Sequence, residues 1–418
     1  MNILWIAFVW PEPDSSAAGT RTQQLLLTLQ KQGYPVTVLS PCQDNKYRTA
    51  LEQQGFRCYQ CPPNDARFDS LLKEINPQVV FFDRFMVEEQ FSWRVKEHCP
   101  EALRVLDTID LHFLRRARQR ASERGESVQN LCDSEKHSTD TLRELSAIYR
   151  SDLSLIISSS ELQLLRHEFQ IPEPLLTLCA MSRAKLENYP TFENRKNCVA
   201  IGNFNHPPNR DSVEFLREDL WPRIKGILIE RGVSAPELHI YGSYASSEVL
   251  KLDSSATGFR IKGYTPDAAQ TLSNYRVNLA PLRFGAGVKG KILDGWAGGT
   301  PSAATHLAAE GMTMCKEGRA LFGGILEDSA EHFAQRAADL YSDQVLWEKS
   351  QTAGFEILEG CFNPLRNENL FIEVLKASYA MRHERRLQNT IGAMLWYQGN
   401  RSTEYFSRWI EEKNKANA

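Results

Sequence analysis

Apolar positions fall into two kinds of run along this chain. Short continuous blocks alternate with longer stretches in which apolar residues recur at helical spacing. In the first half, Ile3–Val9, Val36–Ser40, Val79–Phe82, Arg104–Asp107 and Leu153–Ser158 predict strands, with a further short one near Leu175–Cys179. Between them, Arg21–Gln32, Phe68–Ile75 and Val87–Glu97 predict helices. Such alternation argues for a parallel, doubly wound sheet. Residues 108–150 break the rhythm. They are polar, rich in Arg and Glu and helical in composition, and predict helices layered on the sheet or facing a cleft.

Ser182–Asn197 is polar and holds Pro190, which marks an interdomain linker. The alternation then restarts. Cys198–Ile201, Glu237–Tyr241, Phe259–Lys262, Val277–Ala280, Thr300–Ala304 and Gly324–Leu326 predict a second set of strands, and Glu331–Leu340 and Gln344–Leu358 its last helices. Asn369 to Lys413 is strongly helix-forming. The expected division is a domain over 1–185, a second over 198–368, and a helical segment over 369–418. Two doubly wound domains imply a crevice at the carboxyl ends of both sheets, where such folds bind ligands.

Composition agrees with that architecture. The 418 residues are too many for one ordinary core and suit two domains of about 190 residues. A net charge of −3 gives no bulk attraction to nucleic acid. No apolar run approaches the roughly 18 residues of a membrane span. The apolar start, Met1 to Val9, lacks a basic lead and a cleavage site, and reads as a first buried strand rather than a signal peptide. The 9 cysteines are scattered, and Cys58-x-x-Cys61 has no second pair to complete a zinc site. Reduced thiols and a cytoplasmic protein are expected.

The most informative chemistry lies in Arg283-Phe-Gly-Ala-Gly-Val-Lys-Gly-Lys-Ile-Leu-Asp294. It follows the strand ending near Ala280 and opens a helix from Lys289 to about Ala297. A glycine loop between strand and helix suits a diphosphate. Backbone N–H groups and the helix dipole favour an anion there. Gly285, Gly287 and Gly290 let the backbone approach, and Arg283, Lys289 and Lys291 add charge. Asp294, three residues beyond Lys291, shares its helix face and can accept hydrogen bonds from ribose hydroxyls. Ordinary turn and surface chemistry is the competing reading, since neither common nucleotide fingerprint is present.

The segment resembles the donor-binding motif of the retaining GT-B glycosyltransferases of family 4, in the branch with the pattern GxGxKxKxxEaxAxGxPvvaT…aEG. Gly285, Gly287, Lys289, Lys291, Asp294, Ala297, Gly299, Pro301, Thr305, Glu310 and Gly311 carry the match. Many members place two glutamates eight positions apart; here the positions hold Ala286 and Asp294. The resemblance implies a GT-B fold: two Rossmann-like domains face a central cleft, and the C-terminal helical segment crosses back. It implies transfer of a hexose-like sugar from a nucleotide-diphosphate sugar to an acceptor hydroxyl, with retention, and no metal or other cofactor. Lys291 would stabilise the leaving diphosphate.

Further positions are supported by the same resemblance. Asp107-x-x-Asp110-x-His112-Phe-Leu-Arg115 is similar to the branch signature D-x-x-D-x-H-f-l-R, which implies a catalytic His112 oriented by Asp110. From the residues alone, His112 could give a proton, bond the transferring sugar, or be structural. Gly19 and Arg21 stand where the family has a glycine-rich loop against the donor. Gly202 and His206 fall in a stretch similar to G-x-x-x-h-x-P-N, with Asn209 as a candidate helix cap. Glu310, Gly311 and Met312 would lie near the donor sugar. Arg115, Arg116, Arg118, Arg120 and Arg124 make one helix basic, which reads first as a solvated face and second as a contact for an anionic acceptor or a peripheral membrane surface. The acceptor, whether glycan, lipid-linked or protein, carries no sequence code. A nucleotide-sugar-binding scaffold and a sugar-nucleotide epimerase are the rival functions; a dinucleotide oxidoreductase lacks its glycine fingerprint.

Overall fold

The apolar blocks of the first half pair side by side in one parallel sheet. Ile3–Ile6 (β1), Val36–Ser40 (β2), Arg57–Gln60 (β3), Val79–Asp83 (β4), Leu103–Asp107 (β5), Leu153–Ile156 (β6) and Leu176–Leu178 (β7) run in the order β3-β2-β1-β4-β5-β6-β7. Both faces are covered, which is why the strands read as continuous rather than alternating apolar runs. Trp5, Val38, Phe81 and Val105 pack on one side against Leu26 and Leu29; Ile6, Leu39, Phe82 and Leu106 pack on the other against Phe68, Phe91 and Phe113. This computed structural model describes residues 1–416, apart from the side chains of residues 399–401, 415 and 416.

The second sheet is also parallel. Lys196–Ile201 (β8), Leu238–Tyr241 (β9), Phe259–Gly263 (β10), Tyr275–Ala280 (β11) and Ser302–Ala304 (β12) precede a small antiparallel hairpin, Met314–Lys316 (β13) and Arg319–Leu321 (β14). Gly324–Leu326 (β15) completes the order β10-β9-β8-β11-β12-β15. The strand order reverses between β1 and β4 in one sheet and between β8 and β11 in the other. The loops leaving those four strands therefore open onto the crevices where doubly wound folds bind ligands.

The C-terminal segment crosses back as expected. Phe371 and Leu375 of the helix Pro364–Gln388 are buried in the first domain's core. Arg386 pairs with Asp152 at 2.7 Å, and Trp396 donates its indole N–H to the Arg150 carbonyl. This is the α/β GT-B architecture.

Local differences from the sequence reading have physical causes. β1 ends at Ile6, and Phe8 and Val9 are exposed in the loop beyond it. The first helix begins at Ala17, not near Thr20, because Ser16 caps it by accepting from the Gly19 N–H. The helix Pro207–Phe215 starts at His206 with Pro207 in its first turn, so Asn209 is not its cap. Asn209 instead turns inward, donating to the Asn203 carbonyl.

Candidate active site

The loop from β11 to the helix Gly290–Ala297 forms one wall of a cleft of about 470 Å³. That volume suits a small-molecule ligand. Gly285 and Gly287 have φ of +149° and +69°, conformations an L side chain rarely adopts. Gly287 also packs against the other domain, where an added Cβ would stand 2.9 Å from the Asp110 Cβ. Lys289 is the backbone N-cap of the helix, and no side chain caps the free N–H groups. Opposite stands a second helix start: a Cβ at Gly290 would meet the Ala17 Cβ at 2.6 Å. Two helix N-termini thus face one cleft, and both favour an anion.

Two ammonium groups reach the same place. Lys289 Nζ donates to the carbonyls of Ala286 at 3.0 Å and Gly287 at 2.7 Å. Lys291 Nζ donates to Asn209 Oδ1 at 2.7 Å. Neither makes an ion pair among the described residues. Burial pushes the Lys289 ammonium down from its ordinary range, with Glu310 opposing and Arg118 adding to the shift. Burial, aided by the Lys289 charge, pushes Lys291 down to about 7. Burial disfavours the charged form of each, and an anion placed beside them would restore it.

Asp294 sits on the same helix face as Lys291 and lines the cleft. Its Oδ1 accepts from Arg183 Nε at 2.5 Å, an arginine of the interdomain linker that also lines the cleft. The linker is fastened there, with the Arg183 N–H on the Phe362 carbonyl. One carboxylate oxygen is held in place and the other carries no hydrogen bond among the described residues.

The first domain contributes Asp110 and Arg115, both on the cleft wall. Ile109 has φ +63°, a strained backbone for a β-branched residue, and it turns Asp110 toward the cleft. Asp110 Oδ2 accepts from Arg115 at 2.8 Å, and its Oδ1 is 3.3 Å from His112 Nε2. Although burial opposes it, Arg115, His112, His206 and Arg84 hold the Asp110 carboxyl below its ordinary range. His112 lies behind Asp110, 5 % exposed, edge-on to Phe85, and neither ring nitrogen makes a hydrogen bond among the described residues. Burial pushes it down to about 3 despite Asp110. Burial thus favours the neutral imidazole, which suits a hydrogen-bonding or positioning part better than a proton donor.

Carboxylates and an arginine sew the two domains together beside this wall. Glu161 Oε1 accepts from the Leu111 N–H at 3.0 Å and, across the domain boundary, from the Gly287 N–H at 2.8 Å. Burial, then the nearby Asp110, pushes Glu161 up. Arg118 donates to Glu310 through both terminal nitrogens, at 2.6 and 2.7 Å, and to the Gly285 carbonyl at 2.9 Å. The donor loop is held on the first domain by these bonds.

Several expected donor contacts are placed elsewhere. Gly19 faces the Glu12 backbone, where a Cβ would stand 2.3 Å from the carbonyl oxygen, so it is needed for packing rather than for ligand. Arg21 borders the cleft but is buried, and it spends its guanidinium on Asp107 at 3.1 Å and on the Cys179 carbonyl at 2.7 Å. Arg283 points away from the cleft, paired with Asp211 and over the Phe215 ring. Glu310 is taken by Arg118, Gly311 abuts Ser158, and Met312 is fully buried in an apolar cluster. None of these last three lines the cleft. Gly202, His206, Gly287, Lys289, Lys291 and Asp294 do. In the basic helix, Arg116 and Arg120 pair with Asp140 and Glu135, so most of its charge is neutralised within the fold. No helix among the described residues is long and apolar enough to cross a membrane.

Residues 195–343 match the family model described as Glycosyl transferases group 1. Solved structures share the whole architecture at low identity. HepE of Anabaena, solved with UDP and glucose, superposes with a TM-score of 0.65 at 11% identity, over 90% of this chain and 99% of that one. A glycosyltransferase from Rickettsia africae gives 0.62 at 13%, over 90% and 98%. The lipopolysaccharide outer core galactosyltransferase WaaB, in its apo form, gives 0.58 at 14%, over 90% and 99%. No curated protein sequence matches the chain.

Proposed function

We propose that this chain, a protein of the GT-B fold carrying a glycosyl transferases group 1 domain over residues 195–343, transfers a hexose-like sugar from a nucleotide-diphosphate sugar to an acceptor hydroxyl. The observation that carries the reading is the pair of ammonium groups, Lys289 and Lys291, held in the cleft by neutral oxygens alone beside two helix N-termini. A diphosphate supplies the charge that this arrangement lacks. Asp294, braced by Arg183, is placed for the ribose hydroxyls. The sugar then extends toward Asp110 and His112.

As the bond from the anomeric carbon to the phosphate oxygen breaks, negative charge grows on the leaving diphosphate. Lys289, Lys291 and the N–H groups of the helix start are aimed at that charge before it develops, which is where electrostatic catalysis gains most. The acceptor hydroxyl forms the new bond on the face the leaving group vacates, and its proton passes to the departing phosphate oxygen. The anomeric configuration is retained. The two lysines do the work that a divalent cation does in other transferases, so the reaction needs no metal. Neutral His112 offers a ring N–H or nitrogen to a hydroxyl and takes no part in proton transfer.

The test is release of nucleoside diphosphate from a panel of nucleotide sugars, begun with UDP-glucose because HepE was solved with UDP and glucose. Turnover that requires an acceptor supports transfer. Conversion of the donor sugar with no acceptor marks an epimerase instead, and binding without any release marks a scaffold.

A further inference from the structure

Arg84, the residue after β4, has φ +75° and ψ 157°. That region is essentially reserved for glycine, and a residue with a Cβ held there is strained. The backbone is fixed by its N–H on the Asp107 carbonyl at 2.8 Å. Local stability would favour a glycine at this position, so the arginine side chain must have another use.

The guanidinium is short of partners. Its nearest carboxylate is Asp83, at 3.6 Å, and it makes no hydrogen bond among the described residues. Asp83 itself is turned toward the Phe8 N–H, accepting at 3.0 Å. The guanidinium carbon instead lies 5.0 Å from the centre of the Phe8 ring. Phe8 and Val9 are 38% and 37% exposed beyond the end of β1. This is the β1–β4 switch point of the first sheet, the crevice where such sheets take ligands.

Two features extend the site toward the donor cleft. Arg115, on the cleft wall, gives one N–H to Asp110, and the rest of its fork makes no hydrogen bond among the described residues. The 14-residue helix Phe85–His98 starts at Arg84 without a side-chain cap, whereas the helix His112–Glu123 has its first N–H groups taken by Glu144 at 3.2 and 2.8 Å. Arg84 and Arg115 both lie close enough to Asp110 to act on its charge.

We propose that Arg84 and Arg115 belong to the acceptor subsite and that the acceptor carries a phosphate ester, which these two guanidinium groups would bind. The proposal rests on the glycosyl-transfer reading and gives it an acceptor class. The shared chemistry of a sugar phosphate and a phospholipid headgroup is the phosphate ester, so both are offered.

The experiment is binding to the protein saturated with UDP. Glucose 6-phosphate is compared with glucose, and phosphatidylcholine vesicles containing phosphatidic acid with vesicles lacking it. At least one phosphate-bearing probe should bind, its neutral counterpart should not, and R84Q should weaken the binding at least 10-fold while leaving UDP affinity unchanged. R84G should weaken it equally and raise the melting temperature, because glycine relieves the backbone strain. Absence of binding by both phosphate probes, equal binding of the neutral ones, or an R84Q protein indistinguishable from wild type overturns the proposal. Failure of UDP itself to bind tells against the donor reading instead, and is seen in the first titration.

Discussion

Raising the pH from 7 to 9 should weaken donor binding about 50-fold through Lys291 alone. In the free protein, burial and the neighbouring Lys289 charge hold the Lys291 ammonium down at about 7. A bound diphosphate supplies the opposite charge and returns it toward the ordinary lysine range. Binding above pH 7 therefore takes up a proton. Below pH 7, Lys291 is charged in both states and affinity is flat. Lys291 is half charged at pH 7 and about one-hundredth charged at pH 9, so the two units cost about 50-fold, or about 2.3 kcal/mol, and the slope approaches about tenfold per unit only above pH ~8. Lys289, also pushed down by burial, adds in the same direction. A nucleotide sugar is the right ligand, because its diphosphate is esterified at both ends and lacks the second ionisation that a free terminal phosphate has near pH ~6. The assay is isothermal titration at fixed ionic strength across pH 6 to 9, with Lys291→Arg beside wild type. The guanidinium stays charged throughout, so its slope from Lys291 should vanish. A wild-type affinity that is constant from pH 7 to 9, or an Arg variant with the wild-type slope, refutes the reasoning.

Three further outcomes follow from the geometry. His112→Ala should lower turnover far more than it lowers donor affinity, as expected for a contact made mainly in the transition state, and the pH–rate profile between 5 and 9 should keep its shape because His112 is pushed down to about 3; kinetics and titration on one preparation check both. Gly287→Ala should destabilise by about 1–3 kcal/mol from backbone strain, and should weaken donor binding because its Cβ would meet Ile157 at 3.2 Å and disturb the Glu161 bond; thermal melts with and without nucleotide read the two effects. Turnover should survive excess EDTA, and complete loss restored by Mg²⁺ or Mn²⁺ would contradict the lysine-based account.

The architecture was legible because both sheets are parallel and buried, so their strands stand out as apolar blocks. The exceptions are instructive. β3, Arg57–Gln60, is an edge strand with only Cys58 buried, and its residues carry no apolar run. The hairpin β13–β14 is short and mostly exposed. In the site, Lys289, Lys291 and Asp294 were readable because loop, helix start and charge are contiguous in sequence. Arg183, Asn209, Glu161 and Arg118 were not, because each acts across a long sequence separation on a partner set by tertiary folding. Arg283 shows the converse: its place in the motif suggested a donor contact, but Asp211, from a distant helix, turns it outward. Arg84 has no compositional signal at all. Only its backbone conformation marks it.

The central claim is that a nucleoside diphosphate sits on the helix start at Lys289 and Lys291. It is tested most directly by measuring the melting-temperature rise with UDP, with UMP and with uridine on wild type and Lys291→Ala. A ligand confined to the native state raises the melting temperature according to its concentration over its affinity. The account predicts a clear rise with UDP, a smaller one with UMP, little with uridine, and loss of most of the UDP increment in a Lys291→Ala protein that remains folded. Equal shifts for UDP and uridine, or a full UDP shift in the variant, would contradict it.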